Sequence, residues 1–98
     1  MFTVHKLTLS PFIEKFLLPH DAEILHFDWQ GKNLCIWYKV SCSPEGRPLC
    51  VEKPVYLTIA STGLPINGGR YIGTAVSQES GLVFHLFQDH NYIEASHG

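Results

Sequence analysis

The sequence predicts an all-β protein, a small antiparallel sandwich or barrel of roughly six to seven short strands. Three features of the chain predict it. Segments rich in β-branched and aromatic residues recur along it. Glycine or proline punctuates them about every ten residues. Within them, apolar and polar side chains alternate with the period of two that a strand imposes. Apolar residues at helical spacing occur only around Phe12, Phe16 and Leu17.

The first strand is read from Phe2 to Leu9 and stops at Ser10-Pro11. Phe12 to Leu18 follows, closed by Pro19, and is open to either a strand or a short helical turn. Glu23 to Trp29 and Asn33 to Val40 form the clearest unit, because the Gln30-Gly31-Lys32 connection is short enough to force antiparallel pairing. In the second of these, Leu34, Ile36, Tyr38 and Val40 share the core face. Asn33, Cys35, Trp37 and Lys39 share the other, and Cys35 and Trp37 there call for cover by a second sheet or a partner. Val51 to Ala60 carries the apolar row Val51, Val55, Leu57 and Ile59. Pro54 places that strand at a sheet edge or delays its start, since proline cannot donate to a ladder. Arg70 to Val76 and Leu82 to Gln88 pair as a second hairpin around Ser77 to Gly81. The chain is expected to form one domain over residues 1–88, with residues 89–98, polar and ending in small residues, as a flexible tail.

Charge excludes some functions. The seven basic residues are scattered and the net charge is −2, so the Lys/Arg footprint of a protein that binds long nucleic acid is missing. No apolar run approaches the roughly 18 residues needed to span a bilayer, and no secretory signal pattern is visible. A soluble protein of the cytoplasm is therefore expected, without membrane contact. Cys35, Cys42 and Cys50 are read as free thiols in that reducing compartment, the alternative being a Cys42–Cys50 bridge. The six histidines include no pair at zinc-ligand spacing, although His26 and His85 would meet if their strands faced each other. The local signatures of nucleophilic catalysis are missing too, so no catalytic residue, metal ligand or cofactor is assigned.

One loop has binding chemistry. Ser61-Thr62-Gly63-Leu64-Pro65-Ile66-Asn67-Gly68-Gly69-Arg70 gathers hydroxyls, glycines, an amide and a guanidinium. Glycine lets backbone N–H groups approach an anion, and arginine offers a bidentate fork to phosphate. The spacing matches no specific phosphate-binding motif, and an ordinary strand connection explains the same residues. Trp37 and Tyr71 are the residues placed to stack on a base, though most aromatic residues of such a chain belong to its core.

The runs Leu-Pro-His-Asp-Ala-Glu-Ile-Leu (18–25), Asn-Leu-Cys-Ile-Trp (33–37), Ser-Thr-Gly-Leu-Pro-Ile (61–66), Arg-Tyr-Ile-Gly-Thr (70–74) and Gly-Leu-Val-Phe-His-Leu-Phe (81–87) resemble a family of short bacteriophage and prophage proteins with no assigned activity. The resemblance covers residues 18–87 and implies a setting, the infected bacterial cytoplasm, rather than a mechanism. The loop departs from that family in having Ser61 and Leu64 in place of Gly and His, which puts a polar role at position 64 in doubt. Small phage proteins of this kind are often non-enzymatic. The expected function is accordingly a binding protein that sequesters a small phosphorylated ligand, such as a cyclic-nucleotide defence signal. Ser61, Thr62, Gly63, Asn67 and Arg70 would hold its phosphates, and Trp37 or Tyr71 its base, at a pocket shared between subunits of a homo-oligomer. The alternatives are a protein-binding inhibitor of a host enzyme and a small histidine-centred, metal-using enzyme.

Overall fold

The alternation read from the sequence becomes strands β1 (Phe2–Thr8), β2 (Lys15–Pro19), β3 (Glu23–Gln30), β4 (Asn33–Ser41), β5 (Glu52–Ser61), β6 (Arg70–Val76) and β7 (Val83–Asp89). The computed structural model describes residues 1–9, 14–66 and 68–89, and none of these is helical. The strands form two antiparallel sheets, one ordered β1-β4-β3 and the other β2-β5-β7-β6. The all-β expectation holds, with two stacked sheets rather than a closed barrel.

The two sheets meet through their apolar phases. Phe27, Leu34 and Ile36 from the three-stranded sheet cluster with Leu18, Val55, Leu57, Ala75 and Leu86 from the four-stranded one. Burying a side chain of this size stabilises the fold by about 1.5–3 kcal/mol before the entropy cost of ordering it. Along one side of the sandwich β3 and β6 come into contact. Gly73 lies at this contact, where a Cβ would sit 3.6 Å from the Cβ of Phe27, an ordinary van der Waals distance.

Several expectations need correction. β5 lies inside its sheet despite Pro54. The reason is register. Backbone bonds from Leu57 N to Glu14 O and from His20 N to Val51 O show that the odd residues of β5 bond to β2. The missing N–H of Pro54 therefore points away from β2, beyond the last described β5–β7 pair, Tyr56↔Asp89. Cys35 is fully buried on the outward phase of β4, and among the described residues no second sheet covers that face. The Thr8 hydroxyl of the same sheet lies 3.7 Å from the thiol, and on that face His26 packs on Trp37 with ring centroids 5.6 Å apart. The three cysteines are free. Lys15–Pro19 is strand, while Phe12 and residues 90–98 of the expected tail lie outside the described residues. Asp89, assigned to that tail, is the last residue of β7.

Candidate functional site

Strand pairing decides which of the polar residues meet. The hairpin turn at Ser77–Gly81 closes with Ser77 N donating to Leu82 O at 2.8 Å and Gly81 N to Ser77 O at 2.9 Å. This sets Val76 opposite Val83 and Thr74 opposite His85. His85 also lies opposite Ala60 on β5. Leu86 and Phe84 occupy the inner phase of β7, so His85 and Phe87 occupy the outer one. Thr62, two residues past Ala60, emerges on the same outer face.

The result is a continuous hydrogen-bonded chain across the outer face of the four-stranded sheet. Thr62 Oγ1 lies 2.8 Å from His85 Nε2, Thr74 Oγ1 lies 2.9 Å from His85 Nδ1, and the Tyr71 hydroxyl lies 2.6 Å from Thr74 Oγ1. Tyr71 packs edge-on against Phe87, with centroids 5.6 Å apart, and remains exposed.

This chain can run in either direction. With the proton on Nε2, the imidazole donates to Thr62, whose own hydroxyl hydrogen is left for an outside acceptor; Tyr71 then donates to Thr74, and Thr74 to Nδ1. With the proton on Nδ1 the order reverses, and Tyr71 offers the outward donor. With both nitrogens protonated, Thr62 and Tyr71 both donate outward. In each of the three states both ring nitrogens of His85 are satisfied within the array.

Thr74 also borders a groove. It lies along the β3–β6 seam, has a volume of about 460 Å³, and is lined by Asp28, Trp29, Gly31, Thr74 and the turn residues Ser77 to Glu79. Its size falls within the range of small-molecule sites. Asp28 and Glu79 make it acidic, although one oxygen of Asp28 accepts from the Trp29 backbone N–H at 2.8 Å and the other lies 3.5 Å from His26 Nε2. Trp29 Nε1 is buried without a hydrogen-bond partner among the described residues.

The residues expected to clamp a phosphate are not all on this face. Thr62 and Tyr71 are, joined through Thr74 and His85. Ser61 lies opposite Phe84, on the inner phase. Arg70 lies opposite Gln88, which lies opposite the buried Leu57, so its register also turns it inward. Its Nη2 donates to Gln88 Oε1 at 3.2 Å, beside a second groove that includes Glu23. Gly63 is in the loop with φ of 89° and nothing near a Cβ position. Asn67 lies outside the described residues. Trp37 sits on the outer phase of the other sheet, so it cannot share a ligand with Tyr71 within one chain. His26 and His85 likewise occupy the outer faces of different sheets and do not meet. Among the described residues, no three His, Cys, Asp or Glu side chains are grouped to hold a metal ion. Among them also, no helix is long and apolar enough to cross a membrane.

His85 and Thr74 were not among the expected ligand residues. Counting outward from the turn would have found them, since positions 74 and 85 mirror each other across it.

Residues 1–96 match the family model described as a domain of unknown function (DUF7352). The chain belongs to the DUF7352 family. Neither the curated proteins nor the solved structures include a match. For this DUF7352 chain the chemistry must be argued from its own hydroxyl–imidazole array and the groove beside it.

Proposed function

We propose that this protein is a non-enzymatic binding module for a small phosphorylated ligand of nucleotide type, held on the outer face of its four-stranded sheet. The linked Thr62–His85–Thr74–Tyr71 array carries the reading. Thr62, whose hydroxyl the His85 imidazole orients outward, receives the phosphate, Tyr71 with Phe87 offers a platform for a ring, and the groove carboxylates Asp28 and Glu79 accept from sugar hydroxyls. Those carboxylates also repel a second phosphate, which orients the ligand with its anionic end at Thr62. Array and groove belong to a single chain, so this reading needs no second subunit to complete the site. A phage setting, in which such a ligand is a defence signal, is the biological frame that the sequence resemblance supplies.

The test is titration with a nucleoside monophosphate, the matching nucleoside and inorganic phosphate, followed by amide chemical shifts. The monophosphate is expected to shift the Thr62, Thr74 and His85 amides. His85→Ala should weaken it by tenfold or more, a loss of about 1.4 kcal/mol or greater, while Arg70→Ala changes it little. Equal binding by wild type and His85→Ala, or no shift with any probe, would rule the reading out.

A second reading, a protein-binding inhibitor, draws on the opposite sheet. There Phe2, Val4 and the bulge residue Leu25 are 62%, 54% and 49% exposed around Trp37. One stoichiometric protein captured from bacterial lysate, and lost with Trp37→Ala, would favour it over the first.

A further inference from the structure

The four sheet edges of the sandwich are not equally guarded. β3 carries a bulge between Ile24 and His26, β6 one between Tyr71 and Gly73, and these two edges contact each other. β2 is five residues long and ends in Pro19. Among the described residues β1 has none of these devices: it is seven residues long, free of bulge and proline, and in register with β4 throughout. Unprotected edges of this kind pair with further strands.

The pairing pattern shows which groups β1 offers. Backbone bonds from Leu9 N to Leu34 O and from Cys42 N to Met1 O place the odd residues of β1 in the bonded pairs with β4. The N–H and C=O groups of Phe2, Val4, Lys6 and Thr8 therefore point out of the sheet edge. Lys6, the one charge on the strand that could repel an approaching edge, is drawn away from it, because its Nζ donates to Gln30 Oε1 on the far side of β4.

We infer that β1 pairs antiparallel with β1 of a second copy of this chain, joining the two three-stranded sheets into one of six strands. The favoured register has Val4 on the two-fold axis. It uses only outward-pointing groups, forming about six backbone hydrogen bonds. It sets Val4 against Val4 of the second copy and Phe2 against Lys6 of the second copy. Moving the axis to His5 would instead oppose Val4 with a lysine. The interface is independent of the ligand face, which lies on the other sheet.

Sedimentation of the ligand-free protein across roughly a hundredfold range of concentration tests this. Wild type should double its mass as concentration rises. The Val4 and Lys6 amides should become protected from hydrogen exchange in the same range. Val4→Pro removes an edge donor that the β1–β4 ladder does not use, and should stay monomeric. Val4→Lys sets like charges on the axis and should also stay monomeric, which decides the matter if the proline variant fails to fold. A wild type that remains monomeric throughout, a dimer undiminished by both variants, or one whose Val4 and Lys6 amides exchange as in the monomer would overturn the inference.

Discussion

At the scale of single residues, the turn after β2 shows how one carboxylate ties distant parts of the chain together. Asp21 Oδ2 accepts from the Ser41 backbone N–H at 2.9 Å. Hydrogen bonds from the Ser41 side chain and backbone, with a smaller contribution from the Cys50 thiol, hold this carboxyl below the usual aspartate range. Burial and the neighbouring Asp21 carboxylate push the Cys50 thiol up. The signs follow from linkage. A carboxyl depressed in the folded state contributes stability above its unfolded pKa, and that contribution is lost as pH falls through the folded value. Asp21→Asn should therefore flatten the loss of thermal stability between about pH 5 and pH 2 relative to wild type. The same substitution should speed reaction of Cys50 with a disulfide reagent near pH 8, because it removes a negative charge that disfavours the thiolate. A wild type and variant with identical acid limbs and identical thiol rates would show that Asp21 is uncoupled from both. None of this is visible in the sequence, where Cys50 reads only as one end of a conceivable bridge.

At the scale of elements, most of the chain was legible because alternation and turn residues are local signals. Arg70–Val76 and the Ser77–Gly81 turn appear where the spacing put them. The β3–β4 hairpin turns at Gly31, whose φ of 59° only glycine adopts freely. Pro54 misled because its cost depends on which side of the strand its nitrogen faces, a fact of register rather than composition. The candidate site was half legible for the same reason. Thr62 and Tyr71 lie on the array, but Arg70 and Ser61 are turned inward by one step of strand phase. The glycine-rich connection from β5 to β6 has a mechanical role that its composition did hint at. Gly69 has φ of 102°, and a Cβ there would lie 3.1 Å from the carbonyl oxygen of Gln88 on β7. Gly69→Ala therefore combines backbone strain with displacement of a strand, and is expected to cost about 1–3 kcal/mol in chemical denaturation. Gly63→Ala, with open space around a similarly strained backbone, should cost less. Equal losses at the two positions would show that contact with β7 is unimportant.

At the scale of the whole molecule, sheet membership is what the sequence withheld. Strands adjacent in the chain part company: β1 and β2 enter different sheets, as do β4 and β5. The choice is made by contacts between segments far apart in sequence, such as β1 with β4 and β2 with β5. Periodicity inside one strand carries no record of them. The same topology predicts that neither sheet is stable alone, because each leaves its apolar phase to be covered by the other. Trp29 of β3 tests this, since its ring packs against Phe84 of β7 with centroids 5.8 Å apart and so reports the joining of the sheets. In a Trp37→Phe background, which silences the tryptophan on the outer face, unfolding followed by Trp29 fluorescence should coincide with loss of β-sheet circular dichroism. Leu86 is fully buried at the centre of the shared cluster. Leu86→Ala should remove about 2–5 kcal/mol of a total stability of about 5–15 kcal/mol. It should shift both transitions by the same amount, because the cavity it leaves weakens the contact that each sheet needs from the other. Separation of the two curves would mean that one sheet survives without its partner, and that the hydrogen-bond ladders rather than the shared apolar layer hold this fold together.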